Sequence, residues 1–174
     1  MLANVFLKKN ESSTHLQKTA IYLQNCLELD IDDPAILNTI GLALEKVKNY
    51  EGARIALMKG IELASSDGAD SIVLWVNLAR VLCAAGSYAD SLEIYSNIHN
   101  SGKGDVWTYL GEGLCQFYLG RLGECMSSME KSIEFASGQS TATLNTIHLT
   151  LGKMIYNMNI PDNIELAKQQ FFQW

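Results

Sequence analysis

Three stretches of this chain repeat one short pattern, and this repetition limits the possible fold more than any other feature. In each stretch two large apolar residues three positions apart precede a small residue and then a leucine: Leu37-x2-Ile40-Gly41-x2-Leu44, Trp75-x2-Leu78-Ala79-x2-Leu82 and Trp107-x2-Leu110-Gly111-x2-Leu114. Each is followed by a small residue with a large one four positions later: Ala53 with Leu57, Ser91 with Tyr95, and Cys125 with Met129. Ser91 and Cys125 are 34 residues apart. A period of this length is typical of stacked helical repeats.

The apolar spacing inside and between these stretches fits helices throughout. Pro34 follows an acidic turn and suits the first turn of a helix, where its missing N–H costs nothing. The predicted helices are Ser13 to Asp30, Pro34 to Lys48, Tyr50 to Ala64, Ser71 to Ala85, Tyr88 to Asn97, Asp105 to Leu119, Leu122 to Ala136, Thr141 to Met158, and Ile164 to the end.

Composition describes an ordered, acidic protein. Apolar residues make up 48% of the 174 residues and charged residues 18%, with a net charge of −6. Nucleic acid is therefore not expected as a direct partner, because phosphate contacts need clustered Lys and Arg. No apolar stretch approaches the ~20 residues of a membrane span, so no membrane partner is expected. The four cysteines have no C-x-x-C spacing and are interpreted as reduced thiols of an intracellular protein, cytoplasmic or alternatively nuclear.

The repeated patterns resemble those of the tetratricopeptide-repeat (TPR) family over nearly the whole chain. The resemblance implies an all-α, right-handed superhelix of about four to five helix pairs, forming one array over residues 1–174. The chain departs from the family where a proline usually closes the second helix, with Ile31 and Ser65 there instead. The expected repeats are 1–33 (partial), 34–70, 71–104, 105–140 and 141–174, the last of them truncated.

The register of the fourth repeat is ambiguous. By the resemblance, Gly41 and Ala79 lie where the two helices of a repeat cross. In repeat four Gly111 fits the wording of the pattern, whereas Gly113 restores the 34-residue step from Ala79. We favour Gly111; under the alternative, Trp107, Leu110 and Leu114 turn toward the concave groove.

The resemblance places ligand contacts in that groove, on the first helix of each repeat. Val73 and Val76 are apolar there, which favours contact with an apolar partner. The lysine–asparagine clamp by which some TPR domains hold a peptide carboxylate is not expected, because Asn38 and Leu42 occupy clamp positions and only Asn77 matches. The protein-binding candidates are Asn38, Leu42, Glu45, Val73, Val76, Asn77, Arg80, Cys83, Thr108, Glu112, Lys153 and Tyr156.

The last residues of the chain form a second candidate surface. Phe171, Phe172 and Trp174 are apolar, with no polar helix after them. Terminal repeats normally carry a polar outer face. We therefore expect the chain to be a segment of a longer solenoid, or a partner protein to cover this end.

No motif indicates catalysis, a metal or a cofactor. His15, His99 and His148 are far apart, without H-x-x-x-H spacing, and no cysteine has a histidine within ten residues. The sequence therefore predicts a non-catalytic protein-binding scaffold, a segment of a larger subunit in a multiprotein complex. It resembles the long TPR scaffolds, of which that of the cytosolic RNA-decay superkiller complex is one. A stand-alone peptide receptor or co-chaperone-like adaptor, and a regulatory arm of an enzyme, are the alternatives.

Overall fold

The computed structural model describes residues 13–64 and 69–157, and within them the chain is entirely helical. Eight helices and no strand occur in these ranges, which confirms the all-α prediction. The predicted helix from Ile164 to the end lies outside the described residues. The helices are α1 (Ser13–Leu27), α2 (Pro34–Lys46), α3 (Tyr50–Leu63), α4 (Ala69–Ala85), α5 (Tyr88–Asn100), α6 (Val106–Tyr118), α7 (Leu122–Ala136) and α8 (Thr141–Asn157).

Short polar side chains begin several of these helices. Asp33 caps α2 by accepting a hydrogen bond from the N–H of Ala35 at 2.8 Å, with Pro34 in the first turn as expected. Asn49 caps α3 by accepting from the N–H of Gly52 at 3.0 Å. These caps satisfy backbone donors that the helix itself leaves unpaired.

The chain divides into two compact units, residues 1–94 and 95–174. Each has its own apolar core, so the burial that stabilises helix pairs is repeated along the chain. The core of the first unit contains Leu23, Ile40, Ala43, Leu44, Ala53, Ala56, Leu57, Leu74, Leu78 and Val81. The core of the second contains Val106, Leu110, Cys125, Met129, Ala136, Ile147 and Met154.

Small residues lie where paired helices approach most closely. A Cβ added to Gly41 of α2 would lie 2.7 Å from Cγ of Leu57 and 3.4 Å from the carbonyl oxygen of Ala53, both in α3. In the next pair, Ser91 is fully buried and its Oγ donates to the carbonyl oxygen of Ala79 at 2.7 Å. Both observations agree with the crossing positions predicted for repeats two and three.

For repeat four the favoured register was wrong. A Cβ at Gly113 would overlap Cε of Met129 and lie 3.4 Å from the carbonyl oxygen of Cys125, the same two contacts that Gly41 makes in repeat two. Gly111 instead lies against the ring of Tyr95 in the preceding helix. Gly113 is therefore the crossing residue, and the 34-residue repeat length predicted it better than the match of residue types in the short pattern did.

The turns between paired helices use a left-handed backbone at equivalent positions. Gly86 has φ 89° and Gly120 has φ 76°, where glycine pays no Cβ penalty. Lys48, at the corresponding position after α2, has φ 61° and is the one non-glycine residue with positive φ in the described part of the chain. An L-residue with a bulky side chain is disfavoured there by about 1–2 kcal/mol.

Candidate functional site

The candidate site of the first unit lies along α2 and α4, the first helices of repeats two and three. Two polar contacts join these helices side by side. Nδ2 of Asn77 donates to Oδ1 of Asn38 at 2.8 Å, and Nη2 of Arg80 lies 2.6 Å from Oε2 of Glu45. The sequence predicted all four residues as groove candidates, and the structure brings them together in two pairs.

A pocket of about 730 Å³ opens at the C-terminal end of this pair of helices. It has one acidic residue, Glu45, and three basic residues, Lys46, Lys48 and Arg80. Thr39 and Tyr50 supply hydroxyl groups. The rest of the lining is apolar or aliphatic: Leu42, Ala43 and Ala84.

Several residues of this pocket were absent from the predicted candidates. Lys48 and Tyr50 belong to the turn and the start of α3, not to the first helix, where the family resemblance places ligand contacts. One signal was available in the sequence. When the turns are aligned, Lys48 occupies the position of Gly86 and Gly120 in the next two repeats, which indicates a specific role for the lysine side chain.

The remaining candidates of the first unit differ in exposure. Val73 is 50% exposed, whereas Val76 and Cys83 are half-buried. An exposed valine on the helix that carries Asn77 and Arg80 is available to an apolar partner. Their role in binding stays a prediction.

In the second unit two predicted groove residues, Thr108 and Glu112, are largely buried and contact neighbouring residues. Thr108 is 2% exposed and closes a capping box with Asp105 at the start of α6. The Glu112 side chain, 13% exposed, accepts a hydrogen bond from Oγ of Ser128 at 2.9 Å and lies 3.3 Å from Nδ1 of His99. Both contact His99 of the preceding helix, in keeping with Gly113 as the crossing residue, and their role in binding stays a prediction.

This polar cluster changes the pKa of one carboxyl group, that of Glu112. Burial alone would raise the pKa of Glu112, but hydrogen bonds from His99 and Ser128, with the nearby charges of His99 and Lys131, lower it on balance. His99 is also stacked on Tyr109, with ring centroids 3.9 Å apart, and its Nε2 lies 3.1 Å from Oγ1 of Thr108. The cluster joins α5, α6 and α7 and is a packing feature of this unit.

The corrected register places other side chains of α6 and α8 at the surface. Trp107 and Tyr118 are exposed, as are Lys153 and Tyr156, two of the predicted candidates. Leu110, which the alternative register turned toward the groove, is buried. The end-surface candidates Phe171, Phe172 and Trp174 lie outside the described residues.

The described residues contain no group of three or more His, Cys, Asp or Glu side chains that could hold a metal ion. None of the four cysteines forms a disulfide; Cys115 and Cys125 are buried, whereas Cys26 and Cys83 are half-buried. Burial raises the pKa of the Cys125 thiol, which lowers its thiolate fraction and its reactivity. Across residues 13–64 and 69–157, none of the helices has the length and apolar character needed to cross a membrane.

Comparison with known proteins supports the repeat fold. The tetratricopeptide repeat family matches at residues 34–67, which contain α2 and α3. The fold is similar to that of MamA (41-end) from Desulfovibrio magneticus RS-1, with a TM-score of 0.65 and 18% identity over 98% of this chain and 87% of that chain. A MamA RS-1 ArsTM double mutant gives a TM-score of 0.64 and 16% identity over 92% of this chain and 85% of that one. No curated protein sequence matches the chain significantly.

These similarities define the class of fold. The chain has a TPR-type all-α fold, as the sequence predicted, with MamA as a structural neighbour. At these identities the likeness concerns the fold alone. The comparisons give no support to the resemblance to the superkiller scaffold.

Proposed function

We propose that this chain is a non-catalytic scaffold that binds a segment of another protein along α2 and α4. Support comes first from the kind of fold, since TPR-type repeats expose long helical surfaces suited to peptide and helix recognition. The finer hypotheses are part of the same proposal: a segment of a larger subunit that assembles a multiprotein complex in the cytoplasm.

The observation that carries the proposal is the paired surface of α2 and α4. Asn38 with Asn77 and Glu45 with Arg80 fix the two helices next to each other before any partner arrives. A surface ordered in advance loses less conformational entropy on binding. Val73 adds an exposed apolar side chain, and apolar contact supplies most of the free energy in recognition of this kind.

The test is recovery of partner proteins from cells by the tagged full chain, comparing two matched variants. Val73→Asp places a charge on α4, and Ile55→Asp places one at an exposed apolar position of α3, 42% exposed and on the second helix of its repeat. Circular dichroism checks that both variants keep their helices. We expect Val73→Asp to lose at least one partner that Ile55→Asp retains, confirmed with the purified partner. Equal recovery by both variants, or no specific partner for the wild type, contradicts the proposal.

A further inference from the structure

We propose that the pocket between α2, the following turn and α4 binds an acidic segment of a partner protein, with carboxylate side chains next to apolar ones. This inference deepens the proposed function and rests on it. It concerns the pocket lined by Thr39, Leu42, Ala43, Glu45, Lys46, Lys48, Tyr50, Arg80 and Ala84.

The charge balance of the pocket points to the ligand. Glu45 forms an ion pair with Arg80, in which Nη2 of Arg80 lies 2.6 Å from Oε2 of Glu45. Lys46 and Lys48 are exposed and form no ion pair with any residue that the structure describes. The pocket therefore has an excess of two positive charges on a chain whose net charge is −6. Complementary charge across an interface gives specificity and faster association.

The shape and chemistry favour a protein segment over a small anion. Leu42, Ala43 and Ala84 form an apolar wall, and the hydroxyl of Tyr50 can donate to a carboxylate oxygen, whereas that of Thr39 already donates to the carbonyl oxygen of Ala35 at 2.9 Å. A volume of about 730 Å³ is larger than one phosphate or carboxylate needs and accommodates several side chains.

The backbone of Lys48 adds a second line of support. Lys48 has a φ of 61°, and the equivalent positions of the next two repeats are occupied by glycines, Gly86 and Gly120. One of the residues that line the pocket is thus a lysine in left-handed backbone, where glycine would give the same turn without strain. A contribution of the Lys48 ammonium group to binding would account for a lysine at this position instead of a glycine.

The pocket is distinct from the carboxylate clamp considered for the sequence. Clamp positions hold Asn38 and Leu42, and the basic residues of this pocket lie at the end of α2, in the turn and on α4. We therefore expect recognition of acidic side chains within a segment, with no requirement for a free C-terminus.

The experiment measures binding of fluorescent peptides to the full chain by anisotropy. The probe is a short C-terminally amidated peptide in which Glu residues alternate with Leu and Gly, and its counterpart has Gln in place of Glu. We expect the Glu peptide to bind at least about tenfold more tightly, and its affinity to fall as salt rises from about 50 to about 300 mM. The double variant Lys46→Glu/Lys48→Glu should weaken it at least about tenfold, roughly two charge pairs lost.

Two further variants and a competitor separate the outcomes. Lys103→Glu changes an exposed lysine of the second unit and should leave binding unchanged. Lys46→Gln should weaken binding without introducing an acidic group, and amide chemical shifts on titration should change mainly in the pocket residues. A single-stranded oligonucleotide and inorganic polyphosphate serve as competitors.

Equal affinity for the Glu and Gln peptides, no saturable binding at millimolar peptide, or insensitivity to the Lys46/Lys48 variant overturns the inference. Preferential binding of the oligonucleotide or polyphosphate overturns it as well. If cellular partners depend on Val73 but not on Lys46 and Lys48, the scaffold proposal stands and the acidic-segment proposal fails. If no partner depends on Val73, the scaffold proposal fails by its own test.

Discussion

His99 and Glu112 meet inside the second unit, with Nδ1 of the imidazole 3.3 Å from Oε1 of the carboxylate and both side chains nearly buried. The pair connects the end of α5 to the middle of α6, and Ser128 of α7 donates a further hydrogen bond to the same carboxylate. Residues of three helices thus contact one largely buried carboxylate, and burying a charge is unfavourable unless it is hydrogen-bonded.

Glu112→Gln removes the charge and keeps the shape, so we expect it to lower the free energy of unfolding by about 1–3 kcal/mol. Glu130→Gln, at an exposed position of α7, is the matched control and should change it by less than about 0.5 kcal/mol. Urea denaturation followed by circular dichroism measures both. Equal effects of the two variants would mean that the cluster contributes nothing to stability.

The lowered pKa of Glu112 makes its contribution to the free energy of unfolding depend on pH. Because the pKa of Glu112 in the folded state lies below the ordinary value of 4.5, the folded state favours the ionised form. Its contribution to stability is fully present above the unfolded-state pKa, and is lost as pH falls through the folded-state pKa. The stability difference between wild type and Glu112→Gln should therefore be present above about pH 4.5 and shrink as the pH falls below it. A difference that grows on acidification contradicts this assignment.

Close packing at Gly41 predicts opposite effects for two glycine-to-alanine substitutions. Gly41→Ala would place a methyl group 2.7 Å from Cγ of the fully buried Leu57, so we expect a loss of about 1–3 kcal/mol despite alanine's better helix propensity. A Cβ at Gly123, within α7, meets nothing within 4 Å. Gly123→Ala should therefore gain about 0.5–1 kcal/mol. Thermal melting of both variants provides the measurement, and a stabilised Gly41→Ala would refute the crossing role.

Relief of strain at Lys48 predicts a trade-off between stability and binding. Lys48→Gly should raise the free energy of unfolding by about 0.5–1 kcal/mol, because glycine adopts the φ of 61° without penalty. The same change removes a cation from the pocket and should weaken the acidic peptide several-fold. Melting temperature and peptide anisotropy on one sample test both. Unchanged binding would contradict a contribution of Lys48 to recognition of the acidic peptide.

The fold was largely predictable from sequence because its determinants are local and repeated. The spacing of Leu37, Ile40 and Leu44 makes one helix face apolar, and Asp33 with Pro34 specifies where that helix begins. Three such patterns at nearly regular intervals leave few alternatives to stacked helix pairs.

The candidate site was less predictable because it depends on register and on contacts between repeats. Gly111 and Gly113 are equally small, and only the observed approach of Met129 and Cys125 identifies the crossing residue. That difference of two residues changes which side chains of α6 face α7. The basic pocket combines a turn with two helices, and no single-helix pattern contains Lys48 and Arg80 together.

The hydroxyl of Ser91 donates a hydrogen bond to the carbonyl oxygen of Ala79 at 2.7 Å, and this bond favours one register of α5 against α4 within a single repeat. Sliding α5 along α4 by one turn would separate the two atoms and strand a polar group in the interior, so misaligned pairings are penalised without help from neighbouring repeats. Units that align themselves in this way can be duplicated, exchanged or grafted between proteins while the helix pair inside each keeps its geometry.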